Sequence, residues 1–455
     1  MEHENSRIDS VTGLLSYNVL MTKVNEHIQQ TLEEHNQKTF TAFLLIDIYR
    51  FTYINNIYGF KTGDDLLKFV GKTIKSMLKP TDVIDRVNAD TFGIILTNLY
   101  DKKDVIEFID KLKTVFKQQF SINGNAIVIS MQIGIALIPE HGIGAEEVYT
   151  NADIALSEAK KRSEWNYVFF SYELKAKTIK FLHYKSMLEK AFTEDEFLLY
   201  YQPYFYTNGL CIAGFEALTR WKSKEHGIIP PMHFIPILEE TGLIMKLETW
   251  LINQICKDLK RINKTKFFID KMMPASINIS PISFKHEDIY EKITKIVSWH
   301  KKGSKSSECG LSKQINIEIT ESTFLLEDPN KIIASLEQLK TSGFKISIDD
   351  FGTGYSSFSY LKDLPIAYLK IDISFVRHIL DDKKSRSITK TIIELSHNLE
   401  MKTIAEGVET KEQFELLKSF GCDIIQGFWL AKPMPIDELI VFIGKWEEEK
   451  VKYLQ

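Results

Sequence analysis

Cysteine is scarce in this chain, and its few copies are not arranged as a structural or metal-binding motif. The 455 residues include Cys211, Cys256, Cys309 and Cys422, with no CxxC pair and no cluster of histidines beside them. This spacing favours free thiols in a reducing compartment over a disulfide framework. Since HExxH and other zinc spacings are lacking too, any metal ion is expected to be held by oxygen ligands.

Targeting and membrane-spanning segments are also lacking. The N-terminus, MEHENSRIDS, is polar and acidic, so no signal peptide is expected. No apolar run reaches the roughly 18 residues of a membrane helix, so we predict no membrane span and a cytoplasmic protein. A formal net charge of -4 lacks the basic excess typical of nucleic-acid binding, so no nucleic-acid partner is expected. An anionic substrate would need local attraction by metal ions or placed cations.

The length predicts two or three domains, although no low-complexity linker divides them. Residues 1–171 form the first predicted domain, in which apolar strands and amphipathic helices alternate as in a compact α/β or α+β fold. The elements predicted there are a strand at 41–48, a helix at 64–78, a hairpin at 83–97 and a strand at 127–138. Residues 172–192 are charged and free of glycine and proline, which predicts a connecting helix.

Residues 193–455 repeat the order strand, polar residue, helix. The strand candidates are 197–202, 212–218, 275–280, 315–320, 345–350, 368–372, 403–406 and 424–426. Eight such units in about 260 residues fit a (β/α)8 barrel, whereas an open doubly wound sheet has fewer strands. Because the first two candidates lie close together, we expect an irregular start to the barrel.

Polar side chains stand at the ends of these predicted strands. They are Gln202, Glu216, Asn278, Glu318, Asp349, Asp350, Lys370, Asp372, Glu406 and Gln426. The strands of a barrel direct such residues to one mouth. Carboxylates buried so close together would protonate unless cations held them, and hard divalent ions are the natural partners of oxygen ligands. Singly, each has a structural explanation, for example helix capping by Asp349 or Asp350. Separate explanations for all of them are much less probable.

The motifs around these residues resemble those of one family. They are Tyr201-Gln202-Pro203, Glu216-Ala217-Leu218-Thr219-Arg220-Trp221, Asn278-Ile279-Ser280, Glu318-Ile319-Thr320-Glu321, Asp349 to Tyr355, Lys370-Ile371-Asp372, Ala405-Glu406-Gly407-Val408-Glu409 and Gln426-Gly427-Phe428. Together they resemble an EAL domain, a bacterial cyclic di-GMP phosphodiesterase, over residues 193–440. The resemblance implies hydrolysis of cyclic di-GMP to linear pGpG with two Mg²⁺ or Mn²⁺ ions.

The resemblance also implies roles for individual residues. The metal ligands would be Glu216, Asn278, Glu318, Asp349 and Asp350, with Asp349 bridging the two ions and Glu406 close by. Lys370 would hold and help activate the attacking water, and Glu321 would steady the Asp-Phe-Gly-Thr-Gly loop. Gln202, Arg220 and Gln426 would contact the substrate, and Asp372 and Glu409 would support the site. The family often dimerises through its barrel, so a homodimer is expected.

Residues 9–170 resemble a GGDEF domain, the diguanylate cyclase family, through Asp9 to Leu14 and through Ala152 to Leu156 followed by Lys160. The signature loop is degenerate, since Asn88-Ala89-Asp90-Thr91-Phe92 replaces Gly-Gly-Asp-Glu-Phe. A side chain now stands where backbone approaches phosphate, and Thr91 replaces an acidic metal ligand. Asp47 remains, but Tyr49 takes the second acidic position. We therefore expect no cyclase activity, because GTP cyclisation needs metal ions to offset phosphate charge.

Asn55, Asp64, Asp47 and Lys160 remain at positions where the resemblance implies GTP contacts, so GTP is a candidate regulatory ligand. The alternative is that Asn55 is a turn residue and Asp64 a helix cap in a folding or dimerisation scaffold. Two rivals to the phosphodiesterase stay open. One is a receptor that binds cyclic di-GMP without cleaving it, and the other is a bifunctional cyclase and phosphodiesterase.

Overall fold

The chain forms two compact units, Met1–Leu182 and His183–Gln455. The computed structural model describes residues 8–33, 39–161, 165–265, 273–286, 288–301, 311–326, 329–352 and 361–454. Over these ranges no helix combines the length and the apolar character that a bilayer crossing requires. Cys211, Cys256 and Cys422 are free thiols, as the spacing predicts, while Cys309 lies outside the described residues.

The first unit contains a six-stranded mixed sheet, a separate hairpin and helices. Its strands are β1 (Leu15–Ser16), β2 (Phe40–Ile48), β3 (Val83–Arg86), β4 (Thr91–Leu99), β5 (Gln119–Ile122), β6 (Asn125–Val128), β7 (Met131–Ile138) and β8 (Asn166–Phe169). Its helices are α1 (Tyr17–Glu33), α2 (Phe51–Tyr58), α3 (Phe60–Met77), α4 (Lys102–Phe116) and α5 (Ala145–Lys160). Helix α6 (Tyr172–Ala191) spans the division between the units, where the sequence predicts a connecting helix.

The main sheet has the order β1-β3-β4-β2-β7-β8, and β2 pairs antiparallel with both β4 and β7. Strand β2 is buried over eight of its nine residues because helices cover both faces of the sheet, which explains its continuous apolar run. The predicted hairpin at 83–97 is confirmed by the antiparallel pairing of β3 with β4. The α+β class predicted for this half is therefore correct.

The prediction of a single strand over 127–138 is wrong. The chain changes sheets within this run: β6 pairs with β5 in a two-stranded hairpin, whereas β7 joins the main sheet. The break falls at Ile129 and Ser130, between β6 and β7. Ile127, Ile129 and Met131 are all buried on either side of it, so the apolar pattern continues through the break and hides it.

The second unit is a closed eight-stranded barrel. Its strands are β9 (Phe197–Tyr206), β10 (Ile212–Ser223), β12 (Ala275–Asn278), β13 (Ile315–Thr320), β14 (Lys345–Phe351), β15 (Tyr368–Ile371), β16 (Lys402–Ala405) and β17 (Ile424–Ile425), with β11 (Gly227–Ile229) added outside β10. Strands β10 and β12 to β17 are parallel neighbours in that order. Strand β9 closes the barrel by pairing antiparallel with both β10 and β17. The predicted irregular start is confirmed as this reversed strand.

Helices connect the barrel strands, and the longer ones bury one face against the barrel. They are α7 (Pro231–Glu240), α8 (Ile244–Ile262), α9 (Ile289–Lys301), α10 (Thr323–Leu326), α11 (Pro329–Thr341), α12 (Ile373–Arg377), α13 (Lys383–Asn398), α14 (Lys411–Ser419), α15 (Ile436–Glu449) and α16 (Val451–Leu454), with 3-10 turns at Pro281–Lys285 and Leu311–Gln314. On α8 the buried Leu251, Ile255 and Leu259 recur every four residues and pack with strand residues such as Ile277 and Ile317. Each such side chain contributes roughly 1.5–3 kcal/mol on burial.

Candidate active site

Four carboxylates surround one buried ammonium at the barrel mouth, three of them on different strands and the fourth, Glu406, directly after β16. Lys370 on β15 is only 1% exposed. Its Nζ lies 2.6 Å from Glu406 Oε1, 2.7 Å from Glu318 Oε2, 3.1 Å from Asp349 Oδ1 and 3.6 Å from Glu216 Oε2. The convergence expected from the sequence is therefore present, and the buried Lys370 lies at its centre.

A bulge at the end of β14 turns two consecutive aspartates toward the same region. The pairing of β14 with β15 shifts between Ile348 and Phe351, and Asp350 has a left-handed backbone with φ 53°. In a regular strand neighbouring side chains point to opposite faces, and a bulge removes this alternation. As a result, carboxylate oxygens of Asp349, Asp350 and Glu406 lie within 4.8 Å of one another.

Amide side chains fix the orientation of Glu216. Asn278 Nδ2 donates to Glu216 Oε1 at 2.8 Å, and Gln426 Nε2 donates to Glu216 Oε2, also at 2.8 Å. Gln426 Nε2 lies 3.2 Å from Gln202 Oε1, and Gln202 Nε2 donates to the Ala431 carbonyl. Because the amide nitrogen of Asn278 donates its hydrogen bond to Glu216, the side-chain carbonyl oxygen of Asn278 remains available as a metal ligand.

The charges at the centre shift one another strongly. Burial disfavours the ammonium of Lys370, but the surrounding carboxylates outweigh burial and raise the pKa of this lysine well above its usual value. Burial raises the pKa of Glu318 to about 8 despite Lys370, with the negative charge of Glu216 adding to the effect. Burial, together with Asp349, also raises the pKa of Glu406 well above its ordinary value. One lysine is thus too little positive charge for this group of carboxylates.

Glu216 and Asp350 differ in the direction of their shifts. Burial would raise the pKa of Glu216, but Lys370 and the hydrogen bonds from Gln426 and Asn278 lower it below the usual value. The pKa of Asp350 rises to about 6 through burial and the neighbouring charge of Asp349. Glu216 is therefore held in its ionised form, whereas the carboxyl group of Asp350 titrates closer to neutral pH.

The donor set fits divalent cations. Glu216, Glu318 and Asp349 form one group of carboxylates with ligand atoms within 4.8 Å, and Asp349, Asp350 and Glu406 form a second. Five carboxylates and one ammonium carry a formal charge of -4 when ionised, which two divalent ions neutralise. Glu318 Oε1 is buried and has no hydrogen-bond partner within the described part of the chain. A buried oxygen of this kind needs a cation or a proton.

A cavity of about 340 Å³ opens beside the carboxylates. It is lined by Glu216, Asp349 and Glu406 and by all three predicted substrate contacts, Gln202, Arg220 and Gln426. The exposed ring of Phe428 and the backbone of Gly427 add walls that the prediction did not assign. Glycine is required at 427, since a Cβ there would stand 2.0 Å from the Val408 carbonyl oxygen.

The supporting residues lie at the edge of this site. Glu321 Oε2 accepts a hydrogen bond from Gly352 N at 3.1 Å, so Glu321 contacts the loop that it is expected to steady. Thr353 to Tyr355, the rest of that motif, lie outside the described residues. Asp372 accepts from Ser374 N as the N-cap of α12, and Glu409 lines the cavity.

A polar layer beneath the carboxylates was not predicted. Asn316 Nδ2 donates to Ser276 Oγ at 2.8 Å and to Ser347 Oγ at 2.7 Å, and Asn316 is 1% exposed. These three residues stand two positions before Asn278, Glu318 and Asp349 on adjacent strands. The strand period of two places them on the same face as the ligands, which is the sequence signal that could have found them. The layer links β12, β13 and β14 directly below the site.

The first unit arranges its remaining charged residues differently. Asp47 Oδ2 accepts from Lys160 Nζ at 2.5 Å and from Thr91 Oγ1 at 3.3 Å. Burial and the charge of Asp47 raise the pKa of Asp90. Asn55 packs against Gly63, and its buried Oδ1 has no hydrogen-bond partner in the described ranges, while Asp64 is exposed. Among the described residues of this unit, no three His, Cys, Asp or Glu side chains bring their ligand atoms close enough together to hold one metal ion.

The sequence matches two family models. The EAL domain matches residues 185–433, and the GGDEF domain of diguanylate cyclases matches residues 6–165. The bifunctional diguanylate cyclase/cyclic di-GMP phosphodiesterase MucR of Pseudomonas aeruginosa is 33% identical over 439 residues, covering 96% of this chain and 61% of MucR. The cyclic di-GMP phosphodiesterase PdeR of Escherichia coli is 30% identical over 446 residues, covering 98% of this chain and 64% of PdeR.

Solved structures agree with these matches. The phosphodiesterase of PaMucR in complex with c-di-GMP is 36% identical with a TM-score of 0.51, covering 57% of this chain and 99% of that chain. The chain spans between about half and two thirds of the length of the curated relatives that it matches. With the barrel, the site at its mouth and the match over 185–433, this chain belongs to the EAL domain family and carries a GGDEF domain before its EAL domain.

Proposed function

We propose that the barrel hydrolyses cyclic di-GMP to linear pGpG with two Mg²⁺ or Mn²⁺ ions. The observation that carries the proposal is the sharing of Asp349 between the two carboxylate groups. Two ligand groups with one residue in common suit two neighbouring cations. Two-metal sites of this kind are typical of phosphodiester cleavage. MucR and PdeR, both named for cyclic di-GMP phosphodiesterase activity, support this choice of substrate.

The side chains divide the work of the reaction. When bound, the metal ions supply Lewis acidity toward the phosphodiester and the water. Glu216, Asn278, Glu318 and Asp349 would hold one ion, and Asp349, Asp350 and Glu406 the other. Lys370 would then hold the attacking water, because its ammonium already lies between both carboxylate groups. Its positive charge favours loss of a proton from that water.

The cavity suits a nucleotide with a phosphate held near the carboxylates. Arg220 is half-buried on its wall and is a cation beside a strongly acidic centre, so it would bind a phosphate or a base edge. The amides of Gln202 and Gln426 can donate and accept hydrogen bonds there. Glu321 would keep Gly352 in place by accepting from its backbone, and Asp372 and Glu409 would brace the rim.

The direct experiment is incubation of the purified chain with cyclic di-GMP and Mg²⁺, followed by mass analysis of the products. We expect linear pGpG, whose mass exceeds that of the substrate by one water. Intact cyclic di-GMP that co-purifies with the protein but is not consumed would favour the receptor alternative. The full set of carboxylates and Lys370 argues against a receptor, since binding alone does not need them.

For the first unit we propose a domain without cyclase activity, in a chain divided at 1–171, 172–192 and 193–455. Lys160 and Thr91 both donate hydrogen bonds to Asp47, the one clear carboxylate ligand in this unit. The site therefore offers a metal ion little free negative charge. The alternative of a bifunctional cyclase and phosphodiesterase still needs a test, because MucR is named for both activities. We also propose a homodimer through the barrel and a cytoplasmic location.

GTP binding to Asn55, Asp64, Asp47 and Lys160 is a further regulatory proposal. It rests on the buried and unpartnered Asn55 Oδ1, which could accept from a guanine edge. The test is the initial rate of cyclic di-GMP hydrolysis against GTP concentration for the wild type and Asn55→Ala. A rate that changes with GTP in the wild type alone supports the proposal. A flat response up to millimolar GTP, without heat of binding, supports the scaffold.

A further inference from the structure

Two histidines far apart in sequence face each other on the surface of the second unit. His183 lies on α6, and His226 lies in the turn between β10 and β11. Their Nε2 atoms are 3.1 Å apart, and Glu225 Oε1 is 3.9 Å from the Nε2 of His226. The three ligand atoms all lie within 4.8 Å of one another. Because 43 residues separate the histidines, no zinc spacing is visible in the sequence.

The turn that carries His226 and Glu225 is rigidly built. Ser223 pairs with Gly227 across the hairpin, and Gly227 has the left-handed φ of 68° that glycine tolerates. The buried Ser223 Oγ accepts from the backbone N–H of Glu225 at 3.2 Å and of His226 at 3.3 Å. Both candidate ligands are therefore presented from a turn with a defined shape.

Aromatic rings support the histidines from below. The buried Tyr184 follows His183 on α6 and packs edge-on against Trp221 at a centroid distance of 5.5 Å. Its ring also contacts His226 edge-on at 5.9 Å. This packing limits the rotation of His226 and keeps its Nε2 directed toward His183. The ligand atoms meet without a rearrangement of α6 or the hairpin.

We infer that His183, Glu225 and His226 form a binding site for a divalent transition-metal ion of the Zn²⁺ type. Two imidazole nitrogens and one carboxylate are a ligand set that zinc uses, with water in a fourth position. Two nitrogen ligands at the tetrahedral corners of Zn²⁺ stand roughly 3.3 Å apart at the usual Zn–N distances, close to the separation observed here. Mg²⁺ and Mn²⁺ prefer oxygen ligands and would not compete well.

The site shares no residue with the carboxylate centre, and its ligand chemistry is different. All proposed catalytic ligands offer oxygen, whereas this site offers two nitrogens. A bound ion would tie α6, the helix that joins the two units in sequence, to the hairpin β10–β11. The side chains of Glu225 and His226 are 62% and 38% exposed, so an ion can enter directly from solvent.

The experiment uses the full chain, stripped of metal by EDTA and then loaded with one equivalent of Zn²⁺ in excess Mg²⁺. X-ray absorption at the zinc edge reports the number of nitrogen ligands, and competition with a chromophoric chelator reports the affinity. We expect about two nitrogen ligands. His183→Gln and His226→Gln should each weaken this binding by about 100-fold or more, since even losing a supporting contact costs 10- to 100-fold.

His286→Gln is the matched control, because His286 is exposed in the same unit and belongs to no ligand group of the described residues. It should retain the wild-type affinity and nitrogen count. An all-oxygen zinc environment, or equal zinc affinity in His226→Gln and His286→Gln, would overturn the inference. The two histidines would then form only a hydrogen bond between their imidazole rings.

Discussion

The two units of this chain differ in the number of carboxylates that surround a central lysine. In the barrel, Lys370 has four carboxylates within 3.6 Å of its ammonium, and the site keeps an excess of negative charge. In the first unit, Lys160 contacts Asp47, which also accepts from Thr91. The barrel therefore retains a strong demand for cations, whereas the first unit satisfies its remaining carboxylate with its own side chains.

Removal of metal ions should have the largest effect, and this effect is on the activity of the barrel. EDTA should reduce cyclic di-GMP hydrolysis to background, and Mg²⁺ or Mn²⁺ should restore it, because only cations relieve the repulsion among the carboxylates. Ca²⁺ should restore little, since its larger and looser coordination fits a compact site badly. The measurement is the initial rate after dialysis and metal addition. Undiminished turnover in excess EDTA would rule out the metal mechanism.

Loss of one metal ligand should be nearly as severe. Glu216→Ala and Asp349→Asn should each lower kcat/KM by at least about 1,000-fold, because metal stabilisation of the transition state is worth several kcal/mol. Asp349→Asn should affect both ions, since Asp349 belongs to both carboxylate groups. Steady-state kinetics at saturating Mg²⁺ provide the test. Glu337→Ala serves as the control and should leave turnover unchanged, because Glu337 is exposed on α11 and belongs to none of the carboxylate groups of the described residues.

Lys370→Ala tests the centre of the site. We expect kcat to fall by about 100-fold or more, the usual contribution of a group that acts on a proton in the transition state. Substrate affinity should stay within a few-fold, because Lys370 is buried beneath the cavity and is not among its lining residues. Binding of cyclic di-GMP by calorimetry alongside turnover separates these effects. Wild-type kcat in this variant would refute the role of Lys370.

Asp85 offers a carboxylate in the first unit that has no lysine beside it. It is fully buried, and the backbone N–H groups of Arg86 and Leu20 lie beside its carboxylate and offset only part of the burial penalty. Burial raises its pKa to about 7. Because the pKa of Asp85 is higher in the folded state than in the unfolded state, the folded state binds this proton more tightly. The free energy of unfolding therefore falls as pH rises through this range, here by about 3 kcal/mol between pH 5 and pH 8.

Asp85→Asn should remove this part of the pH dependence. The readout is the difference in unfolding free energy between pH 5 and pH 8 for the variant and the wild type. The slope, rather than the absolute stability, carries the test, because a buried amide has its own hydrogen-bond requirements. Identical pH slopes in the two proteins would show that Asp85 is not protonated in the folded state.

The smallest effect is an expected absence. Glu216→Ala incubated with GTP and Mg²⁺ should accumulate no cyclic di-GMP, because this variant cannot degrade the product and the described residues of the first unit contain no group of carboxylates able to hold a metal ion. Mass analysis of the reaction checks this, with an active diguanylate cyclase as the positive control. Product above the no-enzyme background would establish the bifunctional alternative and erase the contrast between the units.

Much of the barrel site could be predicted because strand ends carry positional information. Glu318 and Asp349 stand near the C-terminal ends of their strands, and parallel strands of a barrel bring such ends to one mouth. Glu216 is instead the fifth residue of the twelve-residue β10, which continues beyond the predicted end at 218. The failures have a common origin in pairing. The switch of sheets at Ile129 and Ser130 depends on the pairing of β6 with β5 and of β7 with β2. A continuous apolar run does not indicate which strands will pair.

The amino-acid sequence by itself determined the two units, the parallel barrel strands and the identity of the residues at the mouth, because hydrophobic periodicity and strand-end polarity are local properties. Only the tertiary structure decided that Lys370 lies among four carboxylates, that Asn316 joins the strands beneath them and that Lys160 neutralises Asp47. It alone also brought His183 to His226. Charge interactions act through a few ångströms of space regardless of chain separation, so their balance exists only after the strands and helices have packed.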